Sequence, residues 1–154
     1  MRVGSIALVH ETLSEQPQDV AEFGDIANRI CRMVSDGLVS PEAKIEFKMS
    51  GRTGSLGADL ATPLAVTLTE LMQNSIEHAF PDNRSGTIGL ELSREATEIV
   101  VVVWDDGVGL IENPDKSTRL GLQIVRSLIS ELGGTFVQSS NGGTRSEIRI
   151  PLDP

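Results

Sequence analysis

Residues 100–109 read VVVVWDDGVG, an apolar run that stops abruptly at two acids and a pair of glycines. The continuous apolar stretch at residues 99–103 is typical of a strand buried on both faces. A buried carboxylate is costly unless it is hydrogen-bonded, so Asp105 at the strand end is a candidate acceptor for the exocyclic amine of adenine. Gly107 and Gly109 would let the backbone turn and approach such a ligand closely. A plain β-turn explains the same residues, because Asp-Gly is a turn dipeptide.

Polar residues also interrupt an apolar helical run at residues 70–78, which read ELMQNSIEH. This helix is expected to begin with Thr62 as its cap and Pro63 at its first position, and to end before Pro81. Asparagine is a poor helix former, so Asn74 in mid-helix indicates a task such as supplying a hard oxygen ligand to Mg²⁺. An ordinary exposed face of an amphipathic helix is the alternative interpretation. Spacings of three and four residues place these polar side chains on one face: Glu70, Asn74, Glu77 and His78.

Two glycine-containing stretches follow the apolar run. Residues 107–119 are expected to form a loop, and a helix of residues 121–132 is expected to begin at Leu120-Gly121-Leu122. The start of a helix offers free amides and the positive end of a dipole to phosphate groups. Gly142-Gly143-Thr144 precedes the last expected strand, where a threonine hydroxyl would support a contact between Asp105 and adenine. A helix cap and a hairpin turn explain the same two stretches.

The remaining periodicity predicts an α/β (α+β) fold, a two-layer sandwich of one mixed sheet with helices packed on one face. Helices alternate with strands, and the strands cluster in the C-terminal two-thirds of the chain. Further helices are expected at residues 2–13 and from Asp19 to about Gly37, and residues 51–59 are expected to be a turn-rich connection. Strands are expected at residues 43–49, 87–93, 98–104, 135–139 and 145–151.

Composition limits the classes of function. The chain has 154 residues, enough for one domain with its own core, and no apolar run approaches the ~20 residues of a membrane span. The single Cys31 excludes an internal disulfide and a multi-cysteine metal site, which fits the cytoplasm. The 22 acidic and 13 basic residues give a net charge of −9, which argues against direct binding of nucleic acid. An anionic ligand such as ATP must therefore be held by local amides, a helix N-terminus or a metal ion.

Taken in order, the four stretches resemble the nucleotide-binding boxes of the Bergerat-type (GHKL) ATPases. The similarity covers residues 15–154 and is to the catalytic ATP-binding domain of sensor histidine kinases. It implies a Bergerat-type sandwich that binds ATP and Mg²⁺, with Asn74 on the metal, Asp105 on adenine and residues 107–119 as an ATP lid. Glu70 is a catalytic candidate, as a metal ligand or to polarise a water. The implied nucleotide-binding residues are Asn74, His78, Asp105, Gly107, Gly109, Lys116, Arg119, Leu120, Gly121, Leu122, Gly143 and Thr144.

The resemblance extends upstream, where residues 6–14 read IALVHETLS. This stretch is similar to the end of the dimerisation helices in one histidine-kinase subfamily, and the likeness is to the actinobacterial PdtaS type. Residues 1–14 are therefore expected to be the remnant of a second dimerisation helix. The subfamily's phosphoacceptor histidine has no counterpart here, and His10-Glu11 lacks the Arg/Lys and Pro that follow the acceptor in the commoner kinase class. We expect His10 to pack or to serve at a helix end rather than to accept phosphate, and we expect the chain alone not to phosphorylate itself.

A second departure lies three residues after the asparagine, where many relatives carry Lys or Arg and this chain has Glu77. His78, Lys116, Arg119 or Mg²⁺ would have to supply positive charge to the phosphates. Trp104 is expected to adjoin the adenine site.

The resemblance implies transfer of phosphate from ATP to a histidine on the protein's own dimerisation/phosphoacceptor domain and then to a response regulator, which in that subfamily carries an RNA-binding output domain. No nucleic acid or membrane is expected as a direct partner. A stand-alone serine kinase of the anti-sigma-factor type is one alternative, which a first helix cut short would disfavour. A module that senses nucleotide without transfer is another, and Glu77 favours it.

Overall fold

A computed structural model describes five parts of the chain: residues 20–38, 44–81, 84–110, 115–140 and 142–152. The expected helix at residues 2–13, with His10, lies outside these described residues. The expected boundary between residues 14 and 15 lies outside them as well.

Helices and strands alternate along the described chain. The helices are α1 (Phe23–Leu38), α2 (Ala58–His78) and α3 (Lys116–Glu131). The strands are β1 (Val20–Glu22), β2 (Ile45–Gly51), β3 (Ser55–Gly57), β4 (Gly86–Arg94), β5 (Glu98–Asp105), β6 (Thr135–Ser140) and β7 (Thr144–Pro151). Within the described parts, no helix has both the length and the apolar character needed to cross a lipid bilayer.

One five-stranded sheet, in the order β2-β4-β5-β7-β6, forms one layer of the fold. β2 runs parallel to β4 and the other neighbouring strands are antiparallel, so the sheet is mixed. α2 packs against both α1 and α3, and the apolar sides of the helices share one core with the sheet. The predicted α/β sandwich with one mixed sheet is therefore confirmed.

β5 lies at the centre of the sheet and is buried on both faces, as its apolar run predicts. Its side chains alternate between the two faces. Val100 and Val102 are 7% and 3% exposed but lie outside the core that the helices share. The helix-facing residues of β5 are Ile99, Val101 and Val103, and Asp105 follows them on the same face.

Two expected element boundaries in the first half of the chain are wrong. The segment after Asp19 begins as strand β1, which pairs with β3, and α1 starts only at Phe23. α2 begins at Ala58, before the expected Thr62, and Pro63 lies inside the helix. The pairing of β1 with β3 joins segments some 35 residues apart, so local periodicity does not reveal it. Because β3 leads directly into α2, this pairing places the start of the helix.

The side chain of Cys31 packs in the core between α1 and α2, with its Sγ 3.9 Å from Met72 Sδ. Burial raises the pKa of the Cys31 thiol from 9.0 to about 11. The thiol is therefore neutral and shielded in the native protein at neutral pH.

We expect Cys31 to react with a thiol reagent at pH 8 only after unfolding in denaturant. Well below pH 9 the thiol is predominantly neutral in both states, so its ionisation has little effect on stability. Between pH 9 and about 11 only the unfolded thiol ionises, so the free energy of unfolding should fall by up to about 2–3 kcal/mol. Denaturant titrations of the wild type and Cys31→Ala across this range isolate the effect, because lysine titration cancels in the comparison. An identical pH dependence in both proteins would contradict the assignment.

Candidate functional site

The Asp105 carboxylate lies at the end of β5 and is 5% exposed. The Ser75 hydroxyl of α2 donates to Asp105 Oδ2 at 2.8 Å. The backbone amides of Gly107 and Thr144 donate to Asp105 Oδ1 at 3.0 and 3.1 Å. A carboxylate oxygen can accept about two hydrogen bonds, so Oδ2 retains capacity for one more donor. Asp105 is therefore a buried, oriented acceptor that can take a hydrogen from a ligand.

A cavity of about 190 Å³ opens beside Asp105, between α2, α3 and the sheet. Its volume is below the roughly 300–1,000 Å³ of pockets that enclose drug-sized ligands, so it suits a flat heterocyclic base better than a whole nucleotide. Apolar side chains line it: Leu71, Ala79, Val103, Leu110 and Leu122. Its polar lining comprises Asn74, Ser75, His78, Asp105, Thr118, Gln138, Thr144 and Ser146, together with Gly109.

Close backbone packing around Asp105 explains the expected glycines. A Cβ on Gly107 would collide with the Ala79 carbonyl, and a Cβ on Gly143 would collide with the Asp105 carbonyl. Gly109 has φ +94°, a conformation that L side chains rarely adopt. Gly143 thus lets the start of β7 approach Asp105, and Gly107 and Gly109 let the backbone after β5 pass close to the end of α2 and turn into the loop.

The start of the loop after β5 is held from two sides. The Val108 amide donates to the Ala79 carbonyl at 3.0 Å, at the end of α2. The Leu110 amide donates to the Ser140 hydroxyl at 3.3 Å, at the end of β6. The expected lid therefore begins from a fixed position.

The polar face predicted on α2 is divided by depth. Asn74 is half-buried and lines the cavity, whereas Glu77 is exposed and lies outside the lining. Glu70, which lies one helical turn before Asn74, is 1% exposed and is also outside the lining of the cavity. The structure thus brings Asn74 and His78 to the cavity and leaves Glu70 and Glu77 beside it.

A metal ion in this site would depend on few protein ligands. The described residues contain no group of three or more His, Cys, Asp or Glu side chains that could hold one. The amide oxygen of Asn74 is a hard ligand at the cavity wall. This donor set fits a Mg²⁺ ion that takes most of its ligands from phosphates and water.

His78 joins α2 to α3. Its Nε2 forms a 2.9 Å hydrogen bond with Thr118 Oγ1 and lies 3.6 Å from Glu77 Oε2. Thr118 is 3% exposed. Its amide donates to Asp115 Oδ1 at 2.7 Å, so the Asp115 side chain caps the start of α3. The imidazole therefore sits on the cavity wall beside the first turn of α3.

The helix predicted to begin at Leu120-Gly121-Leu122 begins earlier, at Lys116, so that prediction is wrong. Amides beyond the first turn of a helix have partners within the helix, so these residues do not present free amides. Leu122 lines the cavity and Gly121 is buried. Leu120 is 49% exposed, and Lys116 and Arg119 are also exposed and outside the lining. The strong cap at Asp115, not the glycine, defines the helix start.

Trp104 does not adjoin the cavity, contrary to expectation. The alternation of side chains along β5 places it on the face opposite Asp105, where it lies across Gly89 near Lys48 and Glu91. The cavity residues that the sequence did not single out include Ser75, Thr118, Gln138 and Ser146. The last two lie where the helix-facing positions of β6 and β7 change from apolar to polar along the strand, a pattern that is visible in the sequence.

The sandwich fold, the oriented acceptor and the adjoining cavity define an α/β protein with a candidate site for a flat ligand that donates a hydrogen bond. The sequence matches the family described as histidine kinase-, DNA gyrase B-, and HSP90-like ATPases over residues 59–154, and the chain belongs to that family.

Relatives with curated sequences include sensor histidine kinases. The chain is 40% identical to sensor histidine kinase PdtaS of Mycolicibacterium smegmatis over 157 aligned positions, which cover 98% of this chain and 31% of that protein. It is 26% identical to blue-light-activated histidine kinase 2 of Erythrobacter litoralis, covering 98% of this chain and 46% of the relative. The chain thus spans about a third to a half of the length of these curated relatives.

Solved structures show the same architecture. The histidine kinase domain of an Erythrobacter litoralis blue-light-activated histidine kinase superposes with a TM-score of 0.73 at 26% identity, covering 98% of this chain and 73% of that one. The catalytic domain of histidine kinase ThkA, at 23% identity, has a TM-score of 0.68 and covers 86% of this chain and 93% of that one. The second likeness supports the fold alone.

The adjacent glycines of the β6–β7 hairpin provide a matched pair of variants. Gly143→Ala would drive a Cβ into the Asp105 carbonyl, at φ +134°. We expect it to lower the free energy of unfolding by roughly 2–4 kcal/mol and to weaken nucleotide binding. Gly142→Ala, at φ +69° with open space around the new Cβ, should cost about 1–2 kcal/mol and leave binding intact. Thermal unfolding and calorimetric titration of both variants would show equal effects if the close approach at Gly143 were unimportant.

Proposed function

We propose that this chain is the ATP-binding catalytic domain of a two-component sensor histidine kinase. It would bind Mg²⁺·ATP and deliver the γ-phosphoryl group to a histidine outside the chain. The observation that carries this proposal is the buried Asp105 acceptor beside an apolar cavity, in a chain of this ATPase family. Residues 15–154 would form the catalytic unit, and residues 1–14 the end of a dimerisation helix.

Adenine fits the chemistry of the cavity better than guanine does. Asp105 Oδ2 accepts the Ser75 hydroxyl and has room for one more donor, which the exocyclic amine of adenine would supply. Guanine carries a carbonyl oxygen at the equivalent position, and two acceptors would then face each other in a buried site. The apolar walls, including Leu71 and Leu122, would cover the faces of the base.

Asn74 would hold the Mg²⁺ ion, which neutralises charge on the phosphates when it is bound. Glu70 is buried one helical turn away and would act next to it, as a further ligand or by polarising a water. Phosphoryl transfer needs positioning and charge neutralisation rather than covalent help from the protein. The acceptor nitrogen would form a bond to the γ-phosphorus as the bond to the bridging oxygen breaks and ADP leaves.

His78 is the cationic candidate that lies on the cavity wall. It would meet the phosphates in place of the basic residue that Glu77 replaces. Lys116 and Arg119 are exposed at the start of α3, so they would approach the phosphates only from the lid side. Leu120 and Gly121 would belong to the same lid-side region, and Gly107, Gly109, Gly143 and Thr144 would shape the base side.

The partners follow from the same proposal. They would be a dimerisation/phosphoacceptor domain and a response regulator, which in the similar subfamily carries an RNA-binding output domain. The reaction would take place in the cytoplasm. A serine kinase of the anti-sigma-factor type and a nucleotide sensor without transfer are the alternatives.

Calorimetric titration with a non-hydrolysable ATP analogue and Mg²⁺ tests the binding step. We expect saturable binding that Asp105→Asn weakens by roughly 10- to 100-fold, because the amide must present a donor where the base needs an acceptor. Asp106→Asn is the matched control: its side chain is exposed, outside the lining, and accepts from the Thr87 amide at 2.7 Å, which an amide oxygen can also do. Equal affinities for the two variants would refute the proposed base contact.

Transfer is tested by adding γ-labelled ATP and an acceptor protein. Acid-labile label on the helical domain of a histidine kinase supports the proposal, and acid-stable label on a serine-bearing antagonist supports the serine kinase. Binding without transfer to either acceptor supports the sensor module.

A charge comparison tests the phosphate side. His78→Gln should weaken binding of ATP by about 5- to 30-fold and leave binding of adenosine unchanged, because only ATP carries phosphates. Glu77→Gln, which removes a neighbouring negative charge 3.6 Å from the imidazole, should leave ATP affinity unchanged or raise it. Equal losses for ATP and adenosine in His78→Gln would mean that His78 acts only through its bond to Thr118.

A further inference from the structure

The helix-facing sides of β6 and β7 change from apolar to polar where they reach the cavity. On β7, Ile150 and Ile148 belong to the core, and the next residue on that face is Ser146. On β6, Phe136 packs against the core, and the next residue on that face is Gln138. The alternation of an antiparallel sheet predicts apolar residues at core-facing positions, so these two polar residues depart from the pattern.

Gln138 and Ser146 form a pair on the floor of the cavity. They are opposite each other in the antiparallel register, and Gln138 Nε2 donates to Ser146 Oγ at 3.0 Å. Ser146 is 3% exposed, and both residues line the cavity. On the other side Ser146 is in register with Val103, two residues before Asp105 on the same face of β5. The pair therefore lies one same-face strand position away from the Asp105 acceptor, at the same cavity.

The Ser146 hydroxyl has a hydrogen left to donate. Its oxygen accepts the Gln138 amide hydrogen, and the described residues provide no acceptor for the hydroxyl hydrogen itself. A buried hydroxyl without an acceptor is unfavourable. The bond from Gln138 also fixes the position of Ser146 Oγ, so the remaining donor has a defined location at the cavity floor.

We infer that the Gln138–Ser146 pair is a second base-reading contact, in which the Ser146 hydroxyl donates to a ring nitrogen of the purine. This inference rests on the proposed binding of ATP at Asp105. In adenine the exocyclic amine is flanked by the acceptor nitrogens N1 and N7. A site with one acceptor, Asp105, beside one donor, Ser146, matches this pattern. Ser146 contacts the base, and Gln138 is the positioning residue that orients its hydroxyl.

Deaza analogues remove the proposed acceptor one atom at a time. The experiment measures competition of ATP, 1-deaza-ATP and 7-deaza-ATP against a fluorescent ATP analogue, with Mg²⁺, on the whole chain. For the wild type, we expect one deaza analogue to bind roughly 2- to 10-fold more weakly than ATP, the range of a neutral hydrogen bond. The analogue affected identifies the nitrogen that Ser146 contacts.

The variants then test whether Ser146 is the donor. Ser146→Ala should weaken the binding of ATP by a similar factor. It should not further weaken the binding of the affected deaza analogue, because that analogue already lacks the nitrogen that the Ser146 hydroxyl contacts. Gln138→Leu should show the same pattern with a smaller effect. Val137→Ala is the matched control, since Val137 neighbours Gln138 on β6 but is 58% exposed on the opposite face.

Each outcome has a distinct meaning. Equal wild-type affinities for all three nucleotides would overturn the inference without any variant, so the test does not depend on the variants folding. If Ser146→Ala weakened the binding of ATP and of both analogues by the same factor, the pair would have only a structural role, and the inference would also be overturned. The proposed function fails separately, if the wild type does not bind ATP or if Asp105→Asn binds it unchanged.

Discussion

The hydrogen bonds to the Asp105 carboxylate tie together the parts of the molecule that form the site. A carboxylate that is 5% exposed requires donors, and these come from α2, from the turn after β5 and from the start of β7. Two of the three donors are backbone amides, so they exist only where the backbone comes close. That closeness requires glycine at position 143, because a Cβ there would collide with Asp105. The acceptor and the backbone around it thus depend on each other.

The two faces of the five-stranded sheet differ in their surroundings. One face carries the core shared with the helices and ends at the cavity beside Asp105. The other face is polar at its rim, where Arg149 bridges Glu98 at 2.8 Å and Glu147 at 3.3 Å. Such exposed ion pairs add little stability. The candidate site lies where the core ends, at the points where apolar strand residues are followed by Asp105, Gln138 and Ser146.

Local sequence patterns predicted the elements whose own residues specify them. β5, expected at residues 98–104, spans Glu98–Asp105, because its continuous apolar run is typical only of a buried strand. The structure also places Asn74 and Asp105, which come from two separate motifs, at one cavity. The expected start of α3 at Gly121 is wrong, because the side chain of Asp115 caps the helix about one and a half turns earlier. The expected position of Trp104 is wrong, because neighbouring side chains along a strand lie on opposite faces of the sheet.

The sequence by itself determined the fold class and which polar residues interrupt apolar elements, because periodicity and turn chemistry are local properties of the chain. Only the tertiary structure decided the pairing of β1 with β3, the three donors to Asp105 and the meeting of His78 with Thr118. It also decided that Gln138 and Ser146 share the cavity floor. Except for the Gly107 amide, which is two residues from Asp105, each of these contacts joins residues that are distant in sequence or on different strands, and their geometry follows from packing that no local pattern encodes.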